Sequence, residues 1–263
     1  MPIRQATGTR CIDGASRRDE SAASGLVLRA LDLVGAAAGL VFLAVPIALI
    51  AVAVKLESPG PALYRCRRVG RYGRDFDVLK FRKMRNGASG PALTLDGDRR
   101  LTRLGALLVK YKLDELPQLW NVLRGQMSLV GPRPEDRVFV DLHRRAYADE
   151  ILRVRPGITG LTQLAFGYCE AQLLGAVDPG SVAAHYTLQL LPQKVELDRQ
   201  YVAERSVRLN LAILWWTLVA TVARYDVAVD RKTYRLSRRR RPAREWAERA
   251  SASPPPSAPS RAA

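Results

Sequence analysis

The chain has 263 residues, with 42 Lys and Arg against 25 Asp and Glu, giving a formal charge of +17. Apolar residues make up 48% of it, enough for a packed core, so the chain as a whole is not disordered. Cys11, Cys66 and Cys169 are too few and too scattered for a disulfide framework, and two histidines, His143 and His185, exclude His-rich metal sites and argue against Ser-His-Asp or Cys-His catalysis. Nucleophilic or acid–base chemistry must then rest on carboxylates, Lys or Tyr. The charge implies anionic partners: nucleic acid, anionic lipid or phosphorylated substrates.

Residues 1–25 read as a flexible arm; through residue 30 the chain carries five Arg and three acids. Residues 33–54 follow, 22 residues without a charge, long enough to cross a bilayer core. The run is too long and too deep in the chain for a signal peptide. Pro46 near its middle removes a backbone bond and predicts a kink. Both flanks are basic, with Arg17, Arg18 and Arg29 before and Lys55, Arg65, Arg67, Arg68 and Arg71 after. Basic flanks face the cytoplasm, so a helix that enters one leaflet and returns competes with a straight span.

Residues 63–70 and 75–81 predict two short strands joined in a hairpin. Residues 86–97 read as loop, 101–113 and 116–123 as helices, and 135–153 as an exposed helix. Pro156 and Gly157 open a turn that Gly160 ends. Residues 181–205 predict an amphipathic helix. Residues 209–222 are apolar but short for a span; Trp215 and Trp216 suit either a membrane interface or a core helix. Residues 231–263 hold ten basic residues against two acids and end in a Ser-, Pro- and Ala-rich stretch, which predicts a basic, largely disordered tail over 229–263. Its Arg238 to Arg241 run is either a solubilising extension or an attraction to anionic lipid or nucleic acid.

The chemistry concentrates in residues 98–135, DRRLTRLGALLVKYKLDELPQLWNVLRGQMSLVGPRPE. Asp114 and Glu115 are adjacent carboxylates at a helix start, just after Lys110 and Lys112, a setting that favours their ionised forms. An ionised Asp can be a nucleophile and an adjacent Glu can hold a divalent cation. Adjacent acids at a helix start also serve as plain dipole partners. Arg133 between Pro132 and Pro134 is suited to phosphate recognition or to pairing with an acid. Arg155 before Pro156 repeats that theme, Lys80 and Arg82 flank Phe81 on the hairpin, and Arg100 lies just upstream of the carboxylates.

The segment KLDELPQLWNVLRGQMSLVGPRP resembles the signature of the bacterial sugar transferase family, the small monotopic polyprenyl-phosphate phosphoglycosyl transferases. KLESPGPALYRCRRVG, FDVLKFRKMR, GDRRLTRLG, VRPGITGL and KVELDRQYVAERSVRLNLAILWWTL stand in that family's order. The resemblance implies an α-dominated α+β fold: a monotopic membrane protein with an N-terminal kinked re-entrant helix (26–56), interface helices and a β-hairpin, its catalytic domain spanning 57–228 at the cytoplasmic face of the bacterial inner membrane. It implies transfer of a sugar-1-phosphate from a UDP-sugar to undecaprenyl phosphate, with release of UMP, as an initiating step of surface polysaccharide synthesis. Asp114 would be the nucleophile that carries a covalent phosphosugar, Glu115 the Mg²⁺ ligand, and Lys80 and Arg133 substrate-binding residues. Arg82, Arg100, Lys110 and Arg155 complete the expected substrate-binding set.

The partners implied are the UDP-sugar donor, the polyprenyl phosphate acceptor and anionic membrane lipids, with no nucleic acid; a homodimer is left open. Val109 stands where the family has Arg, with Lys110 beside it as a substitute charge. Val45 precedes Pro46 where Ser is frequent, and Gln126 replaces a common Asp. A basic membrane-anchored binding module and an inactive scaffolding relative are the alternatives.

Overall fold

The computed structural model describes residues 14–88, 98–143, 147, 150–167, 170–175, 177–223, 227–229 and 236–238. Cys11, Cys169, most of the 86–97 loop and most of the basic tail lie outside them.

Helix α1 (Gly14–Phe42) begins within the expected N-terminal arm, and α2 (Ala44–Glu57) follows after a break at Leu43. Leu43 sits at φ −99°, ψ 8°, just before Pro46. Pro46 has no N–H to give the Phe42 carbonyl, which weakens the ladder at that point. The stretch from Gly25 to Phe42 is long and apolar enough to cross a membrane, and α2 is apolar on all sides from Ala44 to Val54, before Lys55. Phe42 is 83% exposed, and Val41, Val45 and Leu49 are also exposed.

The other face of this helix pair is buried. Leu28, Asp32 and Ala36, spaced i, i+4 and i+8, form the inner stripe of α1. Ala36 packs with Phe76, Val78, Val122 and Met127. Val54 of α2 packs with Phe81 and Leu108. The Asp32 carboxylate accepts from the Ser128 hydroxyl at 2.7–2.8 Å and from the Leu129 N–H at 2.8 Å. Arg29, one turn earlier, donates to the Val122 and Met127 carbonyls.

The expected hairpin is present. Strands β1 (Leu63–Val69) and β2 (Asp75–Phe81) pair antiparallel from Leu63 opposite Phe81 to Val69 opposite Asp75. Helix α3 (Arg103–Lys110) leads through a 3-10 turn, Leu113–Glu115, to α4 (Gln118–Leu123). Buried Asn121 clamps α4 to β2: its side chain accepts from the Leu79 N–H and donates to the Asp77 carbonyl. The same amide donates to Gln126 at 2.8 Å, a structural role for that departure from the family pattern.

Two expectations need correction. Residues 156–160 are not a turn: β4 (Gly157–Thr159) pairs parallel with β3 (Ser128–Val130). A Cβ on Gly157 would lie 2.0 Å from the Gly131 backbone nitrogen, so only glycine permits this approach. Residues 135–153 are not one exposed helix. They contain α5 (Arg137–Leu142) and a 3-10 turn at Ile151–Arg153, and Val140, Tyr147 and Ile151 are core residues. At the start of the basic segment, β6 (Leu236–Arg238) pairs antiparallel with β5 (Val227–Val229); the rest of the expected largely disordered tail lies outside the described residues.

The remaining elements are α6 (Leu161–Phe166), α7 (Glu170–Gly175), α8 (Val182–His185), a π segment (Tyr186–Leu190), α9 (Leu191–Glu204) and α10 (Val207–Ala223). In α10 Trp215 is 65% exposed, whereas Trp216 packs against the core. The described fold is helix-dominated with small two-stranded sheets.

Replacing Asp32 with Ala strands the Ser128 hydroxyl and the Leu129 N–H in the buried α1 contact. The expected loss is about 1–3 kcal/mol, read as a lower Tm of the detergent-solubilised protein than that of the exposed-face variant Val34→Ala.

Candidate active site

The site is built where α3 and the 3-10 turn meet the end of β2. Thr102 caps α3 by accepting from the Gly105 N–H at 2.9 Å. A Cβ on Gly105 would fall 2.0 Å from the Lys83 carbonyl oxygen, so glycine lets α3 sit against the backbone just past β2. After α3, Lys112 adopts a left-handed conformation, φ 57° and ψ 19°. For a side chain other than glycine this costs about 1–2 kcal/mol. The turn throws Asp114 and Glu115 back onto β2, and the Lys112 ammonium donates to the Gly167 carbonyl at 2.9 Å.

Each carboxylate meets its own lysine. Lys80 lies 2.8 Å from Glu115 Oε1, and Lys83 lies 3.8 Å from Asp114 Oδ2. Asp114 is only 4% exposed. Burial pushes its carboxyl pKa up, and the neighbouring Glu115 charge adds to the rise, against Lys80, Lys83 and Lys112. Burial also acts to raise Glu115, but Lys80, Lys112 and Arg133 outweigh it and bring that carboxyl down to about 2. Burial lowers the Lys83 pKa, opposed by Asp114. The two acids are thus driven apart in character, with Glu115 fixed as an anion and Asp114 poised by its surroundings.

A cleft of about 40 Å³ opens beside the pair, walled by Lys80, Glu115, Gln118, Arg133, Gln163 and Cys66. The space suits a few waters or an ion. Arg133 reaches it from the loop after β3. Burial opposes its charge, but Glu170, Glu135 and Glu115 hold the guanidinium firmly protonated.

Of the expected residues, Asp114, Glu115, Lys80 and Arg133 converge here. The others do not. Arg82 is buried and donates to the carbonyls of Val54, Ser58 and Pro59 at 2.6–3.1 Å, closing the end of α2. Arg100 grips Asp98 through Nε and a terminal nitrogen. Lys110, beside Val109, is exposed, its ammonium 5.5 Å from the Tyr111 ring centre and outside the cleft wall. Arg155 donates to the Gly125 carbonyl at 2.8 Å, in a setting shared with Arg29 and Arg71.

Lys83 was missed by sequence reasoning. An extended strand would put residues 80 and 83 on opposite faces; the strand ends at Phe81, which lets both point to the carboxylates. Lys112 was legible only as a neighbouring charge. Among the described residues no three His, Cys, Asp or Glu side chains cluster as a metal site. Glu115, ionised and on the cleft wall, fits the type of Mg²⁺ site in which one or two carboxylates are completed by substrate phosphates.

The family description "Bacterial sugar transferase" matches residues 23–224. The chain is 37% identical over 196 residues to a UDP-N-acetylgalactosamine-undecaprenyl-phosphate N-acetylgalactosaminephosphotransferase of Aeromonas hydrophila, covering 73% of this chain and 43% of the relative. It is 40% identical over 194 residues to a UDP-glucose:undecaprenyl-phosphate glucose-1-phosphate transferase of Caulobacter vibrioides, covering 72% and 67%. It is 34% identical over 211 residues to the exopolysaccharide production protein PSS of Rhizobium leguminosarum bv. phaseoli, covering 74% and 95%. The chain therefore spans less than half of the first relative and nearly all of the third. With the matched region holding the hairpin, both carboxylates and Arg133, the chain belongs to the bacterial sugar transferase family.

Proposed function

We propose that this protein transfers a sugar-1-phosphate from a UDP-sugar to undecaprenyl phosphate and releases UMP, as an initiating step of surface polysaccharide synthesis. The observation that carries the reading is the adjacent Asp114–Glu115 pair, Glu115 facing Lys80 of β2 and Asp114 facing Lys83 just beyond it, with Arg133 across the cleft. The relatives' printed names supply the donor and acceptor classes, and they name more than one sugar.

In this mechanism an Asp114 carboxylate oxygen attacks the phosphorus that bears the sugar. The phosphoanhydride bond to UMP breaks, and UMP leaves with the electron pair. The acyl phosphate on Asp114 is then attacked by an oxygen of undecaprenyl phosphate, which restores the carboxylate and forms the lipid diphosphate sugar. Splitting the transfer means that donor and lipid need not bind together. Lys83 balances the Asp114 carboxylate before the attack and after its release. Arg133 and Lys80 meet the donor phosphates, Arg133 by its planar fork. Glu115 would hold Mg²⁺, whose chemistry is to neutralise the diphosphate and the leaving UMP.

We also infer that α1 and α2 form a re-entrant pair within one leaflet, with the site on the cytoplasmic side. Ala36 and Val54 lie on opposite sides of the Leu43 break, yet both are buried against the same folded domain. Two arms that return to one domain support a dip rather than a crossing. The exposed Phe42 and Val45 at the break supply its apolar tip.

Asp114→Asn is expected to abolish UMP release from UDP-glucose or UDP-N-acetylgalactosamine in the presence of undecaprenyl phosphate and Mg²⁺. Retained turnover by the purified variant would remove Asp114 as nucleophile. Arg133→Ala should lower kcat/KM by about 10²-fold or more, measured in the same assay. Because Glu115 is depressed from 4.5 to about 2 in the fold, its ionisation stabilises the protein above about pH 4.5 and that contribution fades as pH falls toward 2. Glu115→Gln should lack that fading component, so its Tm should change less than the parent's between about pH 5 and pH 3.

A further inference from the structure

A buried polar network lies behind Arg133, and the proposed reaction uses none of it. Three α9 side chains at i, i+4 and i+7 grip the loop that presents Arg133. Lys194 lies 3.6 Å from Glu135 Oε1, Asp198 accepts from the Arg133 N–H at 3.3 Å, and the Tyr201 hydroxyl donates to the Val130 carbonyl at 3.0 Å. Thr162 donates to the other Asp198 oxygen, which orients that carboxyl toward the loop. The lysine is 1% exposed. Its ammonium donates to Glu170 at 3.0 Å and to the Tyr186 hydroxyl at 2.9 Å. The Tyr186 hydroxyl in turn donates to Glu135 Oε1 at 3.1 Å. The same Glu135 oxygen lies 3.7 Å from Arg133 Nε.

One carboxylate oxygen is therefore shared by Lys194, Tyr186 and the guanidinium that lines the cleft. Around the Lys194 ammonium and the Arg133 guanidinium themselves, Glu135 and Glu170 bring two negative charges against two positive ones, while Asp198 turns to the loop backbone and Thr162. A buried lysine is tolerated only with such partners, and its removal leaves a carboxylate uncompensated. Two carboxylates would then face one guanidinium.

We infer that Lys194 is a positioning residue for Arg133: by occupying Glu135 and Glu170 it leaves the guanidinium facing the cleft, available to the donor's diphosphate. The inference rests on the transfer reading, in which Arg133 meets those phosphates. Without Lys194, the unpaired glutamates draw Arg133 inward and donor affinity falls. The role is one of charge balance, so removing one glutamate along with the lysine restores it.

The test is titration of the detergent-solubilised full chain with UDP, in an Asp114→Asn background that prevents turnover. Adding Lys194→Met should weaken UDP binding by about tenfold or more. Adding Lys194→Met with Glu170→Gln should bring affinity back to within about threefold of the parent. A lysine that only supports the fold would lower Tm without this rescue. Parent-like UDP affinity in Lys194→Met, or a double variant no tighter than the single, overturns the inference. If the single variant does not fold, the double variant decides: near-parent affinity supports charge balance, and about a tenfold loss overturns it. Unsubstituted protein that binds UDP but transfers no sugar phosphate to undecaprenyl phosphate overturns the transfer reading alone, and unsubstituted protein that does not bind UDP overturns both.

Discussion

Carboxylates on adjacent residues repel each other, and Asp114 and Glu115 coexist because β2 and the residues just beyond it bring a lysine to each. Much else in the structure serves that meeting. Gly105 lets α3 close on the Lys83 backbone. Lys112 accepts a left-handed conformation so that the acids turn back toward β2. Asn121 fixes the register between α4 and β2, and therefore between each acid and its lysine. Backbone strain and a buried amide are thus placed where the charges must meet.

Local signals in the sequence were enough for the hairpin, the apolar N-terminal run and the Asp-Glu pair. Alternation and a glycine turn define β1 and β2, and both survive in the fold with close to the expected limits. The β3–β4 pairing was not legible, because strands of three residues show no period and Pro156-Gly157 reads as a turn. Residues 135–153 carry enough charge to look solvated, yet Val140 of α5, Tyr147 and Ile151 of the 3-10 turn all face the core. Lys83 was invisible because its direction depends on where β2 ends, a detail below the resolution of pattern.

The arginines show the largest gap between composition and use. A charge of +17 suggested a surface for phosphates. Several arginines instead close backbone carbonyls that helix ends and turns leave without partners. Arg29 serves the end of α4, Arg71 the Arg153 carbonyl, Arg82 the end of α2 and Arg155 the Gly125 turn. Arg133 differs because Glu135, Glu170 and Glu115 surround its guanidinium at a cleft. Sequence shows that an arginine is present; only the neighbouring acids and bare carbonyls decide what it holds.

Arg82 has a mechanical consequence. It stands between Lys80 and Lys83 on one short piece of chain, and it is fastened to three carbonyls at the end of α2. A single guanidinium thus ties the end of the apolar helix to the short stretch of chain that carries both lysines, so the position of one is fixed relative to the other at this point.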